Sequence, residues 1–334
     1  MNVIYFIKNV NLFVLYKEIA DGQVELVKVL VTGGAGFIGS HIVDELLLDN
    51  FDVIVLDNLS TGKVENMSDR VDHYNVDLKD NLDLVFAKER PDIVIHQAAQ
   101  VSVSYSMKNP GFDAEENIKV TVNLLEACVK YGVKKFIFAS SAAVYGAPEY
   151  LPIGEDHPVN PLSFYGLSKR NAETYIQMFS NIFGLNYTIL RYSNVYGMRQ
   201  NTKGEAGVVA LFIDQALRGE ALSVFGDGLQ TRDFIFVKDV AKANVAACHY
   251  GDRKTFNISQ GTKTSILDLI EELYFNLSEP MMPSFQDERQ GDIRHSLLSN
   301  QEAKRCLHWE PFYTLSDGIQ LTVKYCERHQ VHTF

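Results

Sequence analysis

Short apolar runs rich in β-branched residues alternate with longer amphipathic stretches from Lys28 to about Ala139. VKVLV (27–31), FDVIVLD (51–57), PDIVIHQAA (91–99) and KKFIFASS (134–141) lack polar alternation, which suits strands buried on both faces. Between them, FIGSHIVDELLLDN (37–50) and NLDLVFAKE (81–89) show the i, i+3, i+4 spacing of helices packed on a sheet. The pattern predicts an α/β fold built on a doubly wound parallel sheet. Beyond a boundary near Ser193, helices over Thr264–Ser278 and Leu315–Arg328 mix with short strands over Ala221–Phe225 and Arg232–Val237. The expected organisation is therefore a main domain over 28–192, a smaller mixed lobe over 193–334, and an extension over 1–27 whose role the sequence does not give.

Composition narrows the function. With 46% hydrophobic and 22% charged positions in 334 residues, the chain has enough apolar mass for a large core. Its formal net charge is −11, and no basic run is long enough to form a patch for nucleic acid or an anionic membrane. No apolar stretch approaches the roughly 18 residues of a membrane span. The four cysteines, Cys128, Cys248, Cys306 and Cys326, are widely spaced and have no His at metal-ligand spacing. They fit a reduced, cytoplasmic protein without a metal site, and a small ligand is the expected partner.

The first candidate chemistry lies where the first strand meets the first helix. Gly33, Gly36 and Gly39 fall three apart at that turn. Gly33 permits the tight turn, Gly36 lets backbone amides approach a pyrophosphate, and Gly39 allows close helix packing, with Phe37 and Ile38 in the first helical turn. This is the layout of a Rossmann-type dinucleotide site. Asp57 ends the second strand, where a carboxylate accepts the ribose hydroxyls of an adenosine and repels a 2′-phosphate. With Asn58 following and no Arg beside it, NAD is expected. Asp77 and Leu78 are expected to flank the adenine.

A second constellation concerns proton transfer. Tyr165 and Lys169 stand i and i+4 at the start of a predicted helix, on one face. An ammonium one turn away, a helix N-terminus and a nicotinamide cation together would lower a phenol pKa from its usual value near 10 and make a general base. Ser140-Ser141 ends the strand KKFIFA, at the carboxyl edge where ligands bind, and a hydroxyl there can share a proton with Tyr165. His96 and Trp309 read as core residues.

These segments, TGGAGFIG, SSAAVYG, Tyr165-x-x-x-Lys169, RYSNVYG (191–197) and TRDFIFVKD (231–239), resemble the extended short-chain dehydrogenase/reductases acting on nucleotide sugars, especially the UDP-glucose 4-epimerases, from about Lys28 to about His329. The resemblance implies that Ser141 is the catalytic hydroxyl, Tyr165 the base, and Lys169 the residue holding both tyrosine and nicotinamide ribose. It implies cofactor contacts at Gln97, Ala98, Ala99 and Asn117, a hold on a sugar diphosphate from Asn194, and diphosphate clamps at Arg232 and Arg289, whose planar forks suit phosphate oxygens.

Two alanines select the reaction. The resembling nucleotide-sugar 4,6-dehydratases carry an Asp-Glu or Ser-Glu pair where this chain has Ala142 and Ala143, and methyl groups move no protons. What remains is oxidation at C4 to a 4-keto sugar and re-reduction from the opposite face. Departures from the best-known UDP-galactose epimerases are Val101 for Lys, Ser193 for Phe and Ser296 for a gating Tyr. The small Ser296 leaves room for an N-acetylated sugar, and a uronic acid is a further candidate. A nucleotide-sugar dehydrogenase or reductase is the alternative enzyme, and a non-catalytic NAD sensor the alternative class. The predicted helices around 115–130 and 162–183 carry apolar residues beyond one stripe (Ile118, Val122, Leu125 and Val129; Tyr175, Ile176, Phe179 and Ile182), and the resemblance implies that they pair across the two-fold axis of a homodimer.

Overall fold

The structure, a computed structural model, describes residues 4–9, 12–18, 24–201, 207–277, 282–288 and 293–330. Arg289 lies outside the described residues. A three-stranded antiparallel sheet of β1 (Ile4–Asn9), β2 (Leu12–Glu18) and β3 (Val24–Leu26) comes first, within the expected extension. The expected alternation follows: β4 (Lys28–Thr32), α1 (Phe37–Leu48), β5 (Asp52–Leu56), β6 (Asp72–Tyr74), α2 (Asp83–Glu89), β7 (Ile93–His96), α3 (Val103–Lys108), α4 (Pro110–Ala114), α5 (Val120–Tyr131), β8 (Lys135–Ser141), α6 (Phe164–Phe183) and β9 (Asn186–Tyr192). The remainder comprises β10 (Asn194–Tyr196), α7 (Val208–Leu217), β11 (Leu222–Phe225), β12 (Thr231–Arg232), β13 (Phe234–Phe236), α8 (Val237–His249), β14 (Lys254–Ile258), β15 (Thr264–Ser265), α9 (Ile266–Asn276), β16 (Pro283–Gln286), α10 (Gln301–Cys306) and α11 (Leu315–Gln330).

Seven strands form one parallel sheet in the order β14-β9-β8-β7-β4-β5-β6. The two-residue period of a strand divides its side chains between two cores. Val29, Val31, Val53 and Val55 join Ile42 and Leu46 of α1 and Val240 of α8 on one face. Leu30, Ile54, Leu56 and Val94 join Phe86 of α2, Leu124 of α5 and Ile176 of α6 on the other. Each such side chain contributes about 1.5–3 kcal/mol on burial, which is why these strands need apolar residues at every position. A third cluster, around Phe212, Phe236 and Leu269, forms the lobe of short sheets.

Several expectations change in detail. β14 lies beyond the boundary near Ser193, yet it pairs with β9 at the sheet edge. The strand read over Arg232–Val237 is broken at Asp233, which lies between β12 and β13 with its side chain buried. The helix around 115–130 begins with a π-helical turn over Glu115–Lys119. Of its expected apolar residues, Leu125 is core and Val129 packs against it, whereas Ile118 and Val122 are half-buried outside that core. On α6, Ile176 and Phe179 also face the core, whereas Leu167, Tyr175, Met178 and Ile182 form an exposed ridge. Among the described residues, no helix is long and apolar enough to cross a membrane, and no group of three His, Cys, Asp or Glu is placed to hold a metal ion.

Candidate active site

The crevice opens between the carboxyl ends of β4 and β7, where the strand order reverses. Gly33 adopts φ +69°, and a Cβ on it would lie 2.8 Å from the Ala98 nitrogen. A Cβ on Gly39 would lie 2.1 Å from the Gly33 carbonyl oxygen, so only glycine lets α1 approach the turn. Gly36 caps α1 without a side chain, which leaves the first-turn amides, those of Phe37 and Ile38 among them, directed at the crevice. Asp57 is buried. Its Oδ2 accepts from the Ala35 amide at 2.9 Å and its Oδ1 from the Leu59 amide at 2.8 Å, and each oxygen keeps capacity for a second donor. Uncapped amides, glycines whose Cβ would fill the cradle, and this carboxylate fit a dinucleotide with two ribose hydroxyls. Asn58 donates to Asp77 at 3.2 Å, whereas the Leu78 side chain is buried in the core, so of that pair only Asp77 offers a polar side chain. Asn66, which donates to the Ala35 carbonyl at 2.9 Å, is a brace that sequence reasoning missed.

The β7 side is a connected set of hydrogen bonds. Ala98 donates its amide to Thr32 Oγ1 at 3.3 Å, and Gln97 Nε2 donates to the Tyr192 hydroxyl at 2.9 Å, turning toward β9 and α8; Ala99 is half-buried. His96 is buried between Thr32 Oγ1 at 2.7 Å and Thr121 Oγ1 at 3.1 Å, and burial pushes its pKa down to about 3. Asn117, on the π-helical turn, has its side chain engaged within the protein. It accepts from the Gln100 amide at 3.0 Å and donates to the Gln100 carbonyl, Asp113 and Ser168 at 2.9–3.1 Å.

Tyr165 stands in the first turn of α6, which Ser163 caps through the Gly166 amide at 3.0 Å. The Tyr165 amide is taken up by Ser106 Oγ at 3.1 Å. A Cβ on Gly166 would lie 2.5 Å from the Ala143 carbonyl oxygen, so this glycine lets α6 abut the turn that follows Ser141. Ser141 accepts from the Ala143 amide at 3.2 Å and lies close enough to the Tyr165 phenol to lower its pKa. Lys169 Nζ donates to the Ala139 carbonyl at 2.9 Å and lies 6.0 Å from the Tyr165 ring centre.

The phenol departs from expectation. Burial, with the Asp113 carboxylate adding to it, pushes Tyr165 up to about 12 against the lowering by Ser141. Burial lowers Lys169 to about 8, against the Asp113 and Glu173 carboxylates that raise it. The depressed phenol pKa expected from sequence is therefore not a property of these side chains alone. Asp113 was also missed: its buried Oδ1 accepts from Gln100 Nε2 at 2.8 Å and Asn117 Nδ2 at 3.1 Å, while Oδ2 has no hydrogen-bond partner. Its i, i+4 spacing from Asn117 was the available signal.

Three expected substrate contacts meet the segment 231–233. The amide of exposed Asn194 donates to the Asp233 carbonyl at 2.9 Å. Half-buried Arg232 donates to the Thr231 carbonyl at 3.0 Å, and the Ser296 amide reaches that same carbonyl at 3.1 Å.

Known proteins share this framework. Residues 29–259 match the NAD dependent epimerase/dehydratase family. A UDP-glucose 4-epimerase of Mycolicibacterium smegmatis is 42% identical over 306 residues, covering 89% of this chain and 98% of that protein. The crystal structure of UDP-glucose 4-epimerase with UDP-glucose from Thermotoga maritima superposes with a TM-score of 0.89 at 44% identity, covering 91% of this chain and 99% of that one. The Thermus thermophilus UDP-glucose 4-epimerase complex with NAD gives 0.83 at 40% identity, over 90% and 99%. Similarity of this extent, running through both the glycine turn and the Tyr165 helix, makes the chain a member of the NAD dependent epimerase/dehydratase family.

Proposed function

We propose that this protein is an NAD-dependent nucleotide-sugar 4-epimerase acting on UDP-linked hexoses, UDP-glucose and UDP-galactose first among them. The observation that carries the reading is the i, i+4 pair of Tyr165 and Lys169 on α6, with Lys169 Nζ 6.0 Å from the Tyr165 ring and Gly166 bringing that helix against the turn that follows Ser141. Tyr165 takes the proton of the C4 hydroxyl and later returns it, and Ser141, beside the same phenol, steers that hydroxyl. When bound, NAD supplies a two-electron acceptor for C4 and a cationic ring beside the phenol. Lys169, held against the Ala139 carbonyl, stabilises the tyrosinate that takes the proton and that re-forms when the proton is returned. Ala142 and Ala143 add no acid or base, so a single proton moves out and back at one oxygen. The flat 4-keto sugar must turn over while the nucleotide stays. Accordingly Asn194, Arg232 and Arg289 are assigned to the diphosphate and Ser296 to the sugar pocket.

A larger sugar is the second reading. Ser296 is small and half-buried, which leaves room for an N-acetylated hexose. We assign the protein to the cytoplasm as a homodimer, joined through the α6 ridge together with exposed Tyr105 of α3 and Phe112 of α4. A monomer mass at micromolar concentration would contradict that assembly.

Purified protein given UDP-galactose and no added NAD is expected to form UDP-glucose, read by NMR. Tyr165→Phe is expected to slow turnover at least ~100-fold while NAD stays bound. Reaction only with added NAD, accompanied by accumulating NADH, would mark a dehydrogenase instead.

A further inference from the structure

Arg191 and Tyr145, both in segments that carry the family likeness, take no part in the proton chemistry above, yet they meet in a buried network beside it. The Glu173 side chain is 0% exposed and that of Arg191 4%. Arg191 grips Glu173 with two prongs, Nε to Oε1 at 2.8 Å and Nη2 to Oε2 at 2.6 Å, and Arg170 adds a bond at 3.1 Å. Ser140, immediately before Ser141, donates its hydroxyl to Glu173 Oε1 at 2.6 Å. After the turn, the Tyr145 hydroxyl accepts from Arg191 Nη1 at 3.0 Å and donates to Asn257 Oδ1 at 2.7 Å. Asn257 in turn donates to the Ile153 carbonyl at 3.0 Å.

We infer that Glu173 is a positioning residue: with Arg191 it clamps the chain on both sides of Ser141 and thereby fixes that hydroxyl against Tyr165. Ser141 ends β8, and its bond from the Ala143 amide is long, so the strand ladder alone does not hold its direction. An apolar pair of equal volume would stabilise the fold at least as well as a buried ion pair. What the two-pronged contact adds is direction, because a guanidinium fork accepts a carboxylate in few orientations. Glu173 also lies one helical turn beyond Lys169, so one helix face carries the base, its ammonium and the clamp. The inference rests on the epimerase reading only for the role it gives Ser141.

Two variants test it. Ser140→Ala removes the link to Glu173 and leaves the ion pair whole; Glu173→Gln removes the charge and strains the fork. In both, kcat should fall about 10- to 100-fold at nearly constant KM for UDP-galactose, with NAD retained. A second readout needs no turnover. Tyrosinate formation is followed by ultraviolet difference titration, each protein against its Tyr165→Phe counterpart, which isolates that phenol. Ser141, Asp113 and Lys169 are the groups that bear on it; Ser140→Ala alters none of them, whereas Glu173→Gln removes a carboxylate that raises Lys169, so the titration is read on Ser140→Ala. Displacement of Ser141, which lowers that phenol's pKa, should move its midpoint to higher pH. Folded variants with wild-type kcat, and a wild-type Tyr165 midpoint in Ser140→Ala, would overturn the inference, even if Glu173→Gln melts earlier. Should the wild-type protein not turn over UDP sugars, the epimerase reading fails and the titration alone decides the positioning role.

Discussion

The two sides of the crevice hold their functional groups by different means. On the side of β4 to β9 the backbone does it, through a glycine turn, an uncapped helix and the ends of long buried strands. In the lobe that starts at β10 the paired segments are short, and two buried carboxylates organise them. Asp233 accepts from the amides of Gln260 at 2.9 Å, Gly261 at 3.2 Å and Leu298 at 3.3 Å. Asp239 accepts from the amides of Phe312 and Tyr313, both at 3.0 Å. A backbone cradle fails when volume is added, and a carboxylate hub fails when its charge or geometry changes. The cofactor side should therefore be intolerant of a methyl group, whereas the substrate side should be sensitive to protonation.

The largest expected effect is steric. Gly39→Ala places a Cβ 2.1 Å from the Gly33 carbonyl, where backbone must move. NAD affinity, measured by calorimetry on the stripped protein, should fall at least ~100-fold, because the amides and helix end that receive the pyrophosphate shift together. Unchanged affinity would remove the backbone argument for this half.

Next comes Asp239→Asn, which aims an amide NH₂ at one of the two N–H donors. It should cost about 1–3 kcal/mol of stability in denaturant unfolding. NAD affinity should remain as it was; a matching loss there would mean that the two sides are not independently held.

Titration should separate the halves by sign. His41, which contacts the Met198 carbonyl at 3.0 Å, and His96 are pushed by burial down to about 4 and about 3, from 6.5. Between those values the unfolded chain binds more protons, so their contribution is complete above pH 6.5 and is lost as pH falls. Burial raises Asp233 to about 7 from 3.8, so there the folded chain binds the extra proton and its contribution fades as pH rises through that interval. Each proton corresponds to about 1.4 kcal/mol per pH unit. Between pH 4 and 6.5, Asp233→Asn should steepen the acid loss by one proton and His41→Asn should flatten it by one. Parallel curves for both variants and wild type would contradict these assignments.

The smallest effect is expected at the strap between the halves. Arg199, at φ +65°, pairs with Asp44 of α1 at 2.8 Å, and both are partly exposed. Arg199→Ala should cost under about 1 kcal/mol in the same unfolding assay, less at high salt. A loss of several kcal/mol would show that the halves depend on each other at this contact.

The same division explains what was legible in the sequence. The glycine turn, Asp57 and the Tyr165–Lys169 spacing depend on residues near one another along the chain, so strand and helix periodicity was enough to find them. Asp233 was not legible, because a strand pattern does not reveal that its carboxylate turns inward to serve amides some 30 and 65 residues away. Nor were Gly166 and Ser106, whose roles arise from α6 meeting segments remote in sequence. The raised pKa of Tyr165 was missed for a related reason: spacing showed its ammonium neighbour but neither the burial nor Asp113.

The central claim is that one carbon is oxidised and reduced again within one site, with Tyr165 carrying the proton. Its most direct test is UDP-galactose deuterated at C4, converted in ordinary water and followed by NMR. The account predicts UDP-glucose that keeps the deuterium on C4, and no conversion by Tyr165→Phe on the same timescale. Deuterium washed out to solvent, or conversion undiminished in the variant, would contradict it.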